Sequence, residues 1–372
     1  MISNVRKKEV TAKRFPFYVV KRMDFPKWKY WLIRGGGIIL AFLVAGFTCA
    51  MLKPGSFGIF FKELIRGCFD FSDISTLIDL LTTFSIILLI SIVITPAFKM
   101  KFWNIGAEGQ ILVGALVAAG IAKFASRDIP NIVVLLMCMI AAQAASTIWA
   151  AIPAIFKAFF NTNETLFTLM LNYIATLLSS MMISIWIKSG SQSFGMLTHG
   201  VFPKIMGSSS FLVIIFAVVI FIGMFFYINK GKHGYELSII GESVDTARYV
   251  GINIRYVTIR SMLVAGVLFG TIGFFIVCGV NRSFSPTIVG GEGFTGVLIS
   301  WLGHFDPLQI ALFAFLQSIM KQGTTTVATA VNISSTQFSA ICTGIFFFII
   351  IACEFFSSYK IKMHHENKEV QQ

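Results

Sequence analysis

The sequence predicts an all-α polytopic membrane protein with about 8–10 transmembrane helices, a broken or re-entrant pair among them, and both termini in the cytosol. Three observations carry that expectation. Of 372 residues, 56% are hydrophobic and only 13% charged, with a mean hydropathy of +0.80; a soluble domain carries about 25% charged residues. So few charges cannot cover the outside of a core this size, and the excess apolar surface must face something other than water. The apolar residues also fall in long runs, most near the roughly 20 residues that one crossing needs. Finally, the cations are shared unevenly between alternate connecting segments. This composition excludes a soluble enzyme, a disordered chain and, despite a net charge of +13, a nucleic-acid binder.

In chain order, residues 1–30 form a basic cytosolic tail. Ten of the 30 Lys+Arg lie in the first 34 residues, and such a cluster ahead of a first span holds an N-terminus inside. No small-residue cleavage site closes a short apolar core, so the lead is not expected to be a removable signal. Residues 31–357 form the transmembrane domain, with spans expected at Trp31–Leu52, Leu77–Ala97, Ile105–Phe124, Ile132–Phe156, Glu164–Ile187, Phe211–Ile228, Val257–Val280 and Phe338–Phe356. Between the last two, Gly293–Gly303 and Pro307–Met320 are each short for a crossing. They read as the broken pair, because irregular backbone at membrane depth survives only inside protein or beside a water-filled cavity. Residues 358–372 are a cytosolic tail. With this map 21 of the 30 cations lie inside, with Lys321 among those outside, and the segment 230–256 is a cytosolic loop.

Charges at membrane depth default to functional candidates. Glu108, Glu164, Glu292 and Glu354 qualify, although Glu164 in a first helical turn also suits the helix dipole and Glu354 ends its span. The fifth span carries Thr165, Thr168, Asn172, Thr176 and Ser179 on one narrow face. That face reads either as hydrogen-bonded helix packing or as the lining of a solute path, with Asn172 offering donor and acceptor. In the third span, Asn104, Glu108 and Gln110 form a polar node, structural or path-facing, beside a small-residue row of Gly114, Ala118 and Ala122. Gly291–Gly296 matches the dinucleotide pattern G-x-G-x-x-G, but it follows a span rather than a strand, so its glycines read as helix turning and packing. No G-x-x-x-x-G-K-[ST] loop occurs, and the six scattered cysteines form no C-x-x-C pair.

At Phe102-Trp103-Asn104-Ile105-Gly106-Ala107-Glu108-Gly109-Gln110 the chain resembles the "fNIGaEGQ" segment of ABC-transporter permeases of the branched-chain amino acid and ribose type, in their simple-sugar and nucleoside branch. Three more stretches agree in order. They are Asn163-Glu164-Thr165 with Met170–Ala175, Gly234–Leu237 with Gly241-Glu242 and Ala247–Ile252, and Gly293–Gly296 with Leu302-Gly303 and Pro307. The chain departs from the family pattern at Ser243-Val244, where Asn-Pro is usual, at His304-Phe305-Asp306 and at Leu166. The resemblance implies a permease subunit of an ATP-driven importer, the larger of two paralogous permeases pairing as a heterodimer. It further implies a separate ABC ATPase with two nucleotide-binding halves and an extracytoplasmic substrate-binding lipoprotein. No cofactor is expected on this chain, ATP and magnesium belonging to the ATPase.

By the same resemblance the cytosolic loop is the segment that meets the ATPase, with Gly241, Glu242, Ala247, Arg248, Tyr249 and Gly251 as coupling residues. The residues themselves suggest a short helix between Gly241 and Gly251, with Ser243 as its N-cap and Gly251 as its stop. Asn104, Glu108, Thr168, Asn172 and Thr176 are the candidate path lining. The alternative is an ion-coupled secondary transporter of a small polar solute, which would call for paired intramembrane acids and a broken helix in each half.

Overall fold

The computed structural model describes residues 17–21, 26–70, 72–187, 193–205 and 207–363. The cations Arg6, Lys7, Lys8, Lys13, Arg14, Arg22, Lys188 and Lys368 of the charge pattern lie outside the described residues. In chain order the elements are β1 (Phe17–Lys21), α1 (Lys27–Leu52), α2 (Phe57–Phe69), α3 (Ile74–Lys99), α4 (Ala107–Phe124), α5 (Asn131–Phe160) and α6 (Glu164–Trp186). Then come α7 (Phe211–Asn229), α8 (Lys232–Glu242), α9 (Val244–Tyr249), α10 (Ile254–Phe274) continuing as a π-helical turn over Phe275–Asn281, α11 (Glu292–Leu302), α12 (Pro307–Val331), α13 (Ser335–Ser358) and β2 (Tyr359–Met363). Among the described residues eight helices are long and apolar enough to cross a membrane: α1, α3, α4, α5, α6, α7, α10 with its π turn, and α13.

The chain divides into two compact units. The first joins residues 1–57 with 341–372. In it β1 and β2 pair antiparallel, Phe17 opposite Met363 and Lys21 opposite Tyr359. Arg34 does not serve in a basic tail: it lies two turns inside α1, 1% exposed, and its Nε and Nη2 donate to Glu354 Oε2 at 3.0 and 2.8 Å. Each charge thereby offsets the other's cost of burial.

The second unit spans residues 58–340. At its centre stand α3, α4 and α10, each 72% buried over its apolar stretch, whereas α6 and α7 are buried over a third or less. The closest packing is of α10 on α5 and α4, and its cause is residue size. A Cβ added at Gly266 would lie 2.6 Å from Thr147 Cα, and one at Gly270 would lie 2.6 Å from Gln143 Cα. Where two backbones touch, only glycine fits. Gly114 of the small-residue row on α4 meets the same ridge, since its added Cβ would lie 2.9 Å from Gly270 Cα.

Two elements differ from the sequence expectation. The second piece of the broken pair does not stop at Met320: α12 runs 25 residues, about 37 Å at 1.5 Å per residue. The polar run from Lys321 to Thr326 ends the hydropathy signal, but the threonines return their hydroxyls to carbonyls four residues earlier. Thr324 donates to Met320 O at 2.6 Å, Thr325 to Lys321 O at 2.8 Å and Thr329 to Thr325 O at 3.0 Å. Lys321 therefore lies within a helix rather than in a connecting segment. Of the pair only α11, with 11 residues, is short. The other addition is α2, whose Phe60, Leu64, Gly67 and Cys68 are buried at helical spacing while Lys62 and Arg66 interrupt the apolar run.

Candidate functional site

The first candidate region is built where α4 begins. A helix leaves its first N–H groups without internal partners, and Gly106 at the N-cap has no side chain to offer them. The polar face of α6 supplies what is missing. Asn172 Oδ1 accepts from Gly109 N at 2.9 Å while its Nδ2 donates to Ile105 O at 2.9 Å. Thr168 Oγ1 accepts from Ile105 N at 3.2 Å and donates to Glu164 O at 2.8 Å. Asn104, fully buried, accepts from Gly106 N at 3.0 Å through Oδ1. Thr176 donates to Asn172 O at 3.1 Å. Glu164 opens α6 and pairs with Lys157 at 2.8 Å. The hydrogen bonds thus commit Asn104, Thr168 and Asn172 to the joint between α4 and α6.

Glu108 turns away from that joint toward α11. Its two carboxylate oxygens accept from Gly291 N and Gly293 N, each at 2.8 Å. A carboxylate at a helix N-terminus satisfies orphan donors and the positive end of the dipole together. Gly291 has φ +80°, and a Cβ added at Gly293 would lie 2.5 Å from Glu108 N. The G-x-G-x-x-G match therefore marks a half-length helix whose start is clamped to α4. Glu292, between the two glycines, forms an ion pair with Lys321 of α12. Beside that pair is a cavity of about 190 Å³, lined by Thr82 and Thr83 of α3 and by Asn281 at the end of the π turn. Sequence reasoning missed Lys321 and Asn281; the available signal was a lysine within a threonine-rich stretch, which hydropathy treats as a helix end.

The third region is the segment 230–256. Ser243 divides it, ending α8 and capping α9, where its Oγ accepts from Thr246 N at 3.2 Å. Gly241 ends up in α8 rather than in the short helix, and an added Cβ there would run into the Lys99 carbonyl. Ala247 is fully buried in a cluster with Met100, Phe102, Leu237, Ile240 and Met262. Gly251 has φ +83°, and α9 stops at Tyr249, just before it. Gly241 and Ala247 are thus anchors, whereas Glu242, Arg248 and Tyr249 are exposed, Tyr249 by 94%. Arg248 pairs with Asp245 at 3.3 Å. Glu236 ties α8 to α10 through Arg260 at 2.8 Å, with His233 at 3.6 Å. Burial opposes ionisation of Glu236, but the Arg260 and His233 contacts outweigh it and hold its carboxyl below the usual glutamate value.

Membrane-length helices throughout the chain, with a half-length helix in the second unit clamped to α4 and the pair α8 and α9 packed near the end of α3, define a polytopic membrane protein built like a transport subunit. The model of the family described as branched-chain amino acid transport system / permease component matches residues 76–352, from the first turn of α3 into α13. The chain belongs to that family. It is similar to the guanosine ABC transporter permease protein NupP of Bacillus subtilis (strain 168), with 31% identity over 61% of this chain and 67% of that one. It is similar also to the glucose ABC transporter permease protein TsgB13 of Haloferax volcanii, with 24% identity over 87% and 88%. A third relative is the nucleoside ABC transporter permease protein NupB of Lactococcus lactis subsp. cremoris, with 27% identity over 66% and 71%. No solved structure matches.

Proposed function

We propose that the chain is the membrane-spanning permease subunit of an ATP-driven importer that carries a nucleoside or a simple sugar across the cytoplasmic membrane. The observation that carries this reading is the agreement of three relatives, named for guanosine, nucleoside and glucose, over most of the bundle described above. Both termini and the segment 230–256 face the cytosol, an orientation supported by the excess of cations on that side. There the exposed Glu242, Arg248 and Tyr249 meet a separate ABC ATPase with two nucleotide-binding halves, and Gly241 and Ala247 pass its movement to the ends of α3 and α10. A paralogous permease completes a heterodimer, and an external lipoprotein receptor delivers the solute. Asn104, Thr168, Asn172 and Thr176 hold the wall of the path, and Glu108 fixes the half-length helix that enters it.

The test is uptake by proteoliposomes holding this chain with its companion permease and ATPase, supplied with loaded receptor. ATP-dependent accumulation of labelled guanosine or glucose is expected. Uptake confined to leucine would overturn the solute class, and uptake driven by a proton gradient without ATP would favour the ion-coupled alternative.

A further inference from the structure

We infer that Glu292 and Lys321, with Thr83 and Asn281, form a subsite on the solute path that reads the vicinal hydroxyls of a sugar ring. This inference rests on the importer reading above. Two opposite charges inside a membrane bundle are expensive unless they serve one another or a ligand. They are not needed to hold α11, because Glu108 already takes the Gly291 and Gly293 N–H groups at its start. Nor are they exhausted by their own contact. Among the described residues Glu292 meets Lys321 through Oε1 alone, which leaves Oε2 as an acceptor, and an ammonium has three donors. The pair is only partly covered, with the Lys321 side chain 39% exposed, and it opens on the cavity of about 190 Å³.

The rest of that cavity suits the same ligand. Thr83 and Asn281 add polar groups, while Ile86 and Ile276 add apolar wall. Asn281 is brought there by the π turn that follows α10, and such turns gather at functional sites. A vicinal diol offers two groups that each donate and accept, so one hydroxyl can give its proton to Glu292 Oε2 while its neighbour accepts from Lys321. The ion pair need not separate. A free amino acid would instead have to part the two charges, an anion would meet Glu292, and a cation would meet Lys321. The chemistry recognised is a neutral polyhydroxyl compound.

The reconstituted importer, with one receptor throughout, is assayed for uptake of guanosine and of 2′,3′-dideoxyguanosine. The wild type is expected to favour guanosine by about tenfold or more, since a site built to bond a hydroxyl rejects the analogue that lacks it. In Glu292→Gln and in Lys321→Met that preference should fall to about threefold or less. A purely structural role would lower both solutes together and leave the ratio unchanged, which would overturn the inference, as would a wild type without preference. Receptor-stimulated ATP hydrolysis verifies assembly of each variant. Where one fails to assemble, Thr83→Val, which removes a lining hydroxyl at constant shape, is read in its place and must also narrow the ratio. A wild type that takes up neither guanosine nor glucose would instead defeat the importer reading itself.

Discussion

The clamp of Glu108 on the start of α11 can be tested with one atom's worth of chemistry. Glu108→Gln keeps the length of the side chain but replaces one of two accepting oxygens with an NH₂ group facing a backbone N–H. Both bonds are 2.8 Å long and both run to carboxyl oxygens, and hydrogen bonds to a carboxylate contribute about 1.5–3 kcal/mol each. Loss of the charge from the positive end of α11 adds about 0.3–1 kcal/mol. The variant should therefore destabilise the start of α11 by about 2–4 kcal/mol. Hydrogen exchange reads this directly. At tenfold per 1.4 kcal/mol, the Gly291 or Gly293 amide should exchange about one to three orders of magnitude faster than in the wild type. Glu108→Asp keeps the charge but shortens the reach by one carbon, so it should fall between the two. If Glu108→Gln left both amides as protected as before, the clamp would not be what holds the half-length helix in place.

Three further outcomes follow from the geometry. Arg248→Glu should abolish ATP-dependent uptake while leaving the melting temperature unchanged, because among the described residues its ion pair is with the exposed Asp245; Gly241→Asp is the less clean variant, since it also strikes the Lys99 carbonyl, and it should lower the melting temperature as well. Arg34→Met alone takes away the ion pair of the buried Glu354 carboxylate and should cost about 3–5 kcal/mol in detergent unfolding, whereas Arg34→Met with Glu354→Leu should recover most of that. The stability that Glu236 contributes is present above the ordinary glutamate pKa and is lost as pH falls through its lower folded value. Melting temperature should then stay flat from neutral pH to about 5 and drop below roughly 4, and Glu236→Gln should flatten that drop.

The large features were legible because burial in lipid demands long apolar runs, and these are visible without any partner. Six spans between Leu77 and Val280 were placed to within a turn or two of α3, α4, α5, α6, α7 and α10 with its π turn. Polarity inside a run is harder to read. Thr324, Thr325 and Thr329 look like a loop by composition, yet each satisfies its hydroxyl within the helix, so α12 is longer than its hydropathy. Charges mislead for a related reason. Arg34, Arg260 and Lys321 entered the topology count as free cations, but their partners Glu354, Glu236 and Glu292 lie 320, 24 and 29 residues away. The face of α6 was visible as a face, whereas its partner, the start of α4, was not, because those hydrogen bonds join residues more than 60 positions apart.

The glycine contacts of α10 have a mechanical meaning. With Gly266 and Gly270 seated against Thr147 and Gln143 of α5, sliding α10 by one residue would bring Val267 or Thr271 into spaces that admit no side chain. The three helices α4, α5 and α10 therefore behave as one tooth-locked spindle, able to turn as a body but not to shear. Movement between α11 and that spindle would have to pass through the start of α11, where the Glu108 carboxylate and the Gly293 backbone join the two.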